Sequence, residues 1–399
     1  MTKSGTLTAA VVGCKMGAGH AAAIRASGKY ELAALCDINE KQAAEVGARN
    51  GNPPIFTDYD AMLRSVHPDV VAIATPNNLH CGFTLKALAA GVRGICCEKP
   101  MAVNMSEARS MVTACKNHGI PLVINHQRRM DADLIAAKQM IDNGAIGEVK
   151  LIRGQCQGDI LSDGTHLIDS VQWLTGDRGA RWVLGQVHRD LTPDPRLAAK
   201  NQPQFTGMRY GHPVEKGGMA VIQLESGIRL EMFCGDMVEE RCPYQSYKVY
   251  GSAGTLWRSG DFPKPNLFVN DVNGGGWEPG IDGWMVKPVP AKEGVNGGWR
   301  PVELSSPGYD NPMTGSYRLL ADIVCGCATD HPMSGETALR GFEIVMGIYE
   351  SARLNSRLSM PLAQEQYPLE LMVRERAFER RERSGNEDRM LDECLQNVA

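Results

Sequence analysis

Several polar residues that could do chemistry stand just past apolar runs. Lys99 follows Gly94-Ile95-Cys96-Cys97-Glu98 and precedes Pro100; His126, Gln127, Arg128 and Arg129 follow Leu122-Val123-Ile124. His166 lies in Ser162-Asp163-Gly164-Thr165-His166, three residues before Asp169. Taking a proton from an alcohol oxygen while hydride leaves its carbon needs a base that titrates near neutrality and a cation for the developing alkoxide. His166 suits the first role and Lys99 the second, and His166 and Asp169 at i, i+3 share a helix face. Asp163 either reaches substrate or caps the helix carrying His166. Ser162, His126, Gln127 and Arg128 are candidate substrate contacts, with Arg209 and Tyr210 as additions from a loop further on.

The elements that must position these groups begin with Ala9-Ala10-Val11-Val12, which reads as a buried strand entering a glycine-rich turn and then a helix from Ala21 to Ser27. Backbone N–H groups and the positive end of a helix at a strand's mouth suit a pyrophosphate. Gly13, Gly17 and Gly19 give G-x-x-x-G-x-G rather than the usual G-x-G-x-x-G, so the loop is tightened and Cys14, Lys15 and Met16 are expected to line the phosphates. Asp37 ends the next strand, 24 residues past Gly13, close to where an acid meets the ribose hydroxyls. Ile38 follows with no nearby arginine for a 2′-phosphate, which favours NAD over NADP.

Further apolar runs at residues 69–74, 94–97 and 120–124 alternate with helical stretches and end in polar residues, among them Thr75, Pro76, Asn77 and His80. Continuous apolar strands alternating with helices indicate an α/β fold with a doubly wound parallel sheet. From Val149 to about residue 260 the pattern changes to strands joined by glycine turns, an α+β region with an open, mostly antiparallel sheet. The expected domains are 1–127 for the dinucleotide and 128–399 for substrate and oligomer contacts. Residues 257–315, rich in Gly, Pro and Trp, read as a long functional loop or packing segment, and the charged stretch after Leu369 as a solvated helix.

A net charge of −4 gives no case for nucleic acid or an anionic membrane. No apolar run reaches about 18 residues and the first residues carry no signal core, so a cytoplasmic location is expected. Twelve cysteines include no C-x-x-C pair, and no metal site is expected.

Taken in order, the glycine turn ending in His20, Asp37, Ala74-Thr75-Pro76-Asn77 with His80, Glu98-Lys99-Pro100, Ile141 to Glu148, Gly164-x-His166-x-x-Asp169 and His331-Pro332-x-Ser334-Gly335 resemble the Gfo/Idh/MocA family of NAD(P)-dependent oxidoreductases. The resemblance covers nearly the whole chain. It implies a Rossmann domain followed by an open-faced sheet, with NAD bound through Gly13 to Gly17, Asp37, Thr75, Pro76, Asn77, His80, Glu98 and Lys99. It further implies that Lys99 contacts substrate and cofactor, that His166 is the acid/base, and that the protein is a homo-oligomer, a dimer or tetramer. The reaction implied is hydride transfer between a secondary alcohol of a sugar, cyclitol, sugar acid or glycoside and the nicotinamide. The family usually has Asp-x-Gly-x-His, whereas here Ser162 holds the acid's position and Asp163 comes one place later. Two other readings accompany this one: glycoside hydrolysis by transient oxidation, elimination and re-reduction, and a catalytically silent NAD-binding scaffold.

Overall fold

Apolar strands covered on both faces need helices on both sides, and the chain supplies them. The computed structural model describes residues 6–188, 207–238, 243–271, 276–279, 286–289, 298–304 and 311–383. Its first sheet contains β1 (Leu7–Val12), β2 (Tyr30–Cys36), β3 (Ile55–Phe56), β4 (Val70–Ile73), β5 (Gly94–Cys97) and β6 (Leu122–Ile124). All neighbours are parallel, in the order β3-β2-β1-β4-β5-β6. Ala10, Val12, Val71 and Ile73 point into one apolar core, while Leu7, Ala9, Val11, Val70 and Ala72 point into another. The connecting helices are α1 (Gly17–Ser27), α2 (Glu40–Arg49), α3 (Tyr59–Val66), α4 (His80–Ala89) and α5 (Met105–Asn117). Asn39, Asp58 and Asn104 cap three of them by accepting a backbone N–H two or three residues into the helix. The strand order reverses between β1 and β4, so a crevice opens beyond their carboxyl ends.

The first helix starts at Gly17, four residues before the Ala21 expected from the sequence. The Gly17 N–H already donates to Gly13 O at 3.0 Å, and a Cβ on Gly17 would come within 2.7 Å of Val11 Cγ1. Its glycine therefore serves close packing of helix on strand inside the first turn. Gly13, at φ +86°, has Ala74 O only 2.4 Å from where its Cβ would stand. No other residue type fits there without moving β4.

After α6 (Ala132–Asp142), the second sheet begins with β7 (Val149–Cys156) and α7 (Thr165–Thr175), then β8 (Ala180–His188). A small hairpin, β9 (Met208–Arg209) and β10 (His212–Pro213), precedes β11 (Gly217–Leu224), β12 (Arg229–Gly235), β13 (Ser246–Gly251), β14 (Gly254–Arg258) and β15 (Leu267–Asp271). The backbone continues through β16 (Gly276–Pro279), β17 (Val286–Val289), β18 (Arg300–Pro301) and β19 (Leu358–Ser359). Nine strands join as β18-β15-β14-β13-β7-β12-β11-β8-β19, antiparallel except for the β7–β12 pair. Inward residues such as Ile152, Ala220, Ile222, Leu230 and Met232 meet α7 and the helix Gly335–Leu354.

Residues 257–315 are not one irregular loop: β14 ends within them and β15 to β18 follow. Trp299 packs on Trp257, with ring centroids 5.8 Å apart, and Lys248 lies over both rings. Trp284 lies outside the described residues, as do those beyond Arg383 in the charged tail, whose helix spans Pro368–Arg383.

The helix Pro312–Val324 returns to the first domain. Tyr317, Leu320 and Ala321 share a core with Ala21, Ile24 and Val11, and the Tyr30 hydroxyl donates to Tyr317 O at 2.9 Å.

Candidate active site

At the carboxyl ends of β4, β5 and β6 the chain brings Thr75, Lys99, Asn125 and His126 to the crevice. From the second domain a one-turn π-helix, Ile160–Gly164, and the start of α7 carry Ser162 and His166 to meet them. Lys99 Nζ donates to Ser162 O at 2.8 Å, which ties the end of β5 to the 160–164 turn. The Lys99–Pro100 peptide is cis. The His126 and His166 rings meet edge to face at 5.5 Å.

Both histidines are buried and neutral. Burial is the main cause that lowers His166 well below the ordinary histidine value, and the Lys99 and Arg128 charges lower it further. Burial also lowers His126, against the pull of Asp169. Thr75 Oγ1, Asn125 Oδ1, His126 Nδ1, Arg128 Nε, Ser162 Oγ and His166 Nδ1 are buried with no hydrogen-bond partner among the described residues. Such atoms cost about 1–3 kcal/mol each when left unpaired, and their grouping around Lys99 marks a place built for a polar guest.

Several expected site residues brace the walls instead. His20 Nδ1 lies 2.6 Å from the Tyr317 hydroxyl and its Nε2 lies 2.8 Å from Glu98 Oε1, which also accepts from Asn125 Nδ2 at 2.7 Å. Burial opposes charge on His20, but hydrogen bonding to Cys96 and Glu98 and the Glu98 charge outweigh it and push the ring up to about 10. For Glu98 burial likewise pulls upward, and the His20 bond and charge bring it down to about 2. Glu98 is thus half of a buried ion pair. His80 is fully buried, with one ring nitrogen 2.9 Å from Pro100 O and the other 3.0 Å from Thr75 O. It staples the β4 and β5 loops together rather than facing the crevice.

In the glycine turn the Cys14 thiol is buried, and burial, with Asp37 and Cys36 nearby, pushes it up to about 12. The Cys14 N–H donates to Asp37 Oδ2 at 2.6 Å, and the Asn39 N–H donates to Asp37 Oδ1 at 2.8 Å. Asp37 therefore locks the turn against the next strand. Lys15 and Met16 remain exposed at the turn, whereas Cys14 does not line it as the sequence suggests. Asn77 is buried, with its amide nitrogen 2.9 Å from His212 Nε2 and its N–H donating to Tyr210 O at 3.2 Å. The β9–β10 hairpin thus grips the Thr75-Pro76-Asn77 loop.

Asp163 neither caps α7 nor stands free. Its Oδ2 accepts from Arg209 Nη1 at 2.5 Å and its Oδ1 from the Tyr244 hydroxyl at 2.8 Å. Gly158, at φ +89°, makes room for this carboxylate, since a Cβ there would stand 2.1 Å from Asp163 Oδ2. Asp159 accepts from Arg209 Nη1 at 2.6 Å and, through Oδ1, from the Ser162 N–H at 2.6 Å. Asp169 does not orient His166. Its two oxygens accept from Arg129 Nη2 and Nε, each at 2.8 Å, because a fully buried guanidinium needs a bidentate partner more than a neutral imidazole does. Arg129, expected beside Arg128 at the cleft, is buried against Asp169 and Asp177, and Asp159 and Tyr244 are contributions that sequence reasoning missed. Each belongs to a contact between positions far apart in the chain.

Beside Arg128 a cleft of ≈ 860 Å³ is lined by Gln127, Asp131, Arg258, Asp261 and Phe262, among others. Arg128 Nη2 donates to Asp261 Oδ2 at 2.9 Å, and its guanidinium lies over the Tyr244 ring at 5.2 Å. Among the described residues no group of three or more His, Cys, Asp or Glu could hold a metal ion, and no helix is long and apolar enough to cross a membrane.

Family comparisons agree with this layout. Residues 7–126 match the Gfo/Idh/MocA model for an oxidoreductase family with an NAD-binding Rossmann fold, and residues 134–257 match a Gfo/Idh/MocA C-terminal domain model. The chain is 32% identical over 357 residues to the uncharacterized oxidoreductase C115.03 of Schizosaccharomyces pombe, an alignment covering 83% of this chain and 92% of that one. It is 29% identical over 176 residues to D-glucoside 3-dehydrogenase of Escherichia coli, covering 39% of this chain and half (50%) of that protein. An oxidoreductase of Agrobacterium radiobacter, solved in complex with NAD+, L-tartaric acid and magnesium, shares the fold with a TM-score of 0.67 at 20% identity, over 89% of this chain and 98% of that one. The chain belongs to the Gfo/Idh/MocA family of oxidoreductases, and its Rossmann domain is of the NAD-binding kind.

Proposed function

We propose that this chain oxidises a secondary alcohol of a sugar, cyclitol, sugar acid or glycoside, passing hydride to NAD. The observation that carries this reading is the group of unpartnered buried polar atoms around Lys99, with a neutral His166 among them. The dehydrogenase activity of the Escherichia coli relative supports a carbohydrate substrate. The tight turn from Gly13 brings the start of α1 to the crevice, where a helix N-terminus suits a pyrophosphate, and the exposed Lys15 offers it a charge. NAD supplies the hydride acceptor. The Lys99 ammonium stabilises the alkoxide as it forms, and the His166 imidazole takes the hydroxyl proton while the carbonyl develops. Thr75, Asn125, His126, Gln127, Arg128 and Ser162 hold and orient the polyol. Asp163, neutralised by Arg209, has a positioning role in place of a catalytic one.

The same ion pair weighs against the hydrolytic route, because it leaves Asp163 no free carboxylate beside the site. Trp299 packs on Trp257, on the sheet face opposite α7. That outer face also exposes Leu184, Met219 and Phe233, and we assign it to contact with a second copy. Light scattering at micromolar protein would show a monomer if that assignment were mistaken. The decisive test is NADH formation on a panel of pyranosides, sugar acids and cyclitols. Turnover by the wild type that Lys99→Ala abolishes is expected, and NAD binding without turnover on any of them would leave only a scaffold.

A further inference from the structure

Behind the turn that carries Ser162 lies a buried acid with no part in the chemistry above. Glu215 follows the β9–β10 hairpin and is 5% exposed. Its Oε1 accepts from the Ile160 N–H at 2.6 Å and its Oε2 from the Tyr349 hydroxyl at 2.8 Å. The Tyr349 oxygen in turn accepts from the Leu161 N–H at 3.0 Å. Two successive backbone donors of the π-helix are thus held from behind by one carboxylate, directly and through one hydroxyl. On the other side Asp159 holds the Ser162 N–H, and Ser162 O receives Lys99.

We propose that Glu215 is a positioning residue for the reaction: through Ile160 and Tyr349 it fixes the 160–164 turn and so the place of the Lys99 ammonium, and gain of a proton by Glu215 loosens that placement. This rests on the dehydrogenase reading given above. The geometry is that of an ionised carboxylate, because both oxygens act as acceptors. A protonated Glu215 gives up one acceptor, and Tyr349 then loses the partner for its hydroxyl proton. The groups facing Glu215 make that exchange accessible. Burial, foremost, and the negative charge of Asp159 push Glu215 up to about 7, while the Ile160 and Tyr349 bonds pull the other way. Cys234 of β12 lies close to it as well, while the Tyr367 ring contacts Tyr349 and Arg209 pairs with Asp159.

The test compares the full-length wild type with Glu215→Gln, which mimics the protonated acid. In the wild type kcat should rise through about pH 7 while KM for NAD holds. In Glu215→Gln that step should vanish and kcat at high pH should fall about tenfold, the worth of one buried hydrogen bond. Hydrogen exchange at the Ile160 and Leu161 amides, corrected for intrinsic rates, should show protection gained above pH 7 in the wild type alone. Should Glu215→Gln not fold, Tyr349→Phe removes one bond to the ionised acid and should move the same step to higher pH. Superimposable pH profiles and exchange in wild type and variant would overturn the inference. An intact exchange difference in a protein that forms no NADH on any polyol would instead count against the dehydrogenase reading.

Discussion

His20 and His166 are enclosed to nearly the same degree, 0% and 4% exposed, yet they end in opposite charge states. His20 sits between Tyr317 and Glu98, and the carboxylate holds it charged up to about 10. His166 has Lys99, Arg128 and His126 around it, so burial and those neighbours strip its proton well below the usual range. Burial lowers both rings; the partner decides which one stays charged. One histidine joins a helix to a sheet, and the other is neutral, with its Nδ1 buried and without a hydrogen-bond partner among the described residues.

The sharpest way to break this contrast is to remove the cation. Lys99→Ala should lower kcat on the order of 10³-fold, as loss of an alkoxide-stabilising charge does, with the melting temperature little changed. Steady-state NADH formation beside calorimetry reads both, and a variant that loses stability but keeps its rate would assign Lys99 to structure. Next in size, His20→Leu leaves Glu98 charged and buried without its partner. A loss of about 3 kcal/mol in chemical denaturation is expected, with NAD affinity falling only as the fold does.

His166→Ala should reverse that pattern, costing on the order of 10²-fold in kcat and leaving stability nearly intact. If it proves the less stable of the two variants, the division of labour is mistaken. The pH dependence sharpens the comparison further. Glu98, depressed to about 2 from 4.5, stabilises the fold above pH 4.5, and that contribution is lost as pH falls toward 2. His20, raised to about 10 from 6.5, stabilises it below pH 6.5, and that contribution is lost as pH rises toward 10. The stability gap between wild type and His20→Leu should therefore be widest between about pH 4.5 and 6.5 and narrow on either side. The smallest effect belongs to Trp299→Ala, which should cost about 1 kcal/mol of packing on Trp257 and leave kcat unchanged. A large change in KM would place that tryptophan at the substrate.

Much of the frame is local and could be read from the chain. The runs at β1, β4, β5 and β6 are continuous because both faces are covered, and the polar residues after them fall in the crevice. Lys99 and His126 were legible for this reason, and His166 from its Gly164-x-His166-x-x-Asp169 setting at the start of α7. Partners were not, because they meet across long separations: Asp169 and Arg129 lie 40 residues apart, and Asp163 and Arg209 lie 46 apart. A spacing of i, i+3 puts Asp169 and His166 on one helix face, yet it cannot show that Arg129 arrives on that face first. Likewise Cys14 lies in the right turn, but whether its thiol points to phosphate or core depends on β2 and Asp37.

The return of Pro312–Val324 to the first domain also bears on how the chain is made. Residues up to Gln127 complete the parallel sheet, yet the outer side of α1 waits for Tyr317 and Leu320 to cover it. About 185 residues separate Gln127 from Pro312, so at roughly 5–20 residues per second a ribosome would deliver the cover some ten to forty seconds later. During that interval the nascent Rossmann half would present an apolar helix face, a binding place for chaperones. Full burial of its core is therefore a late event in synthesis, completed after most of the second sheet has emerged.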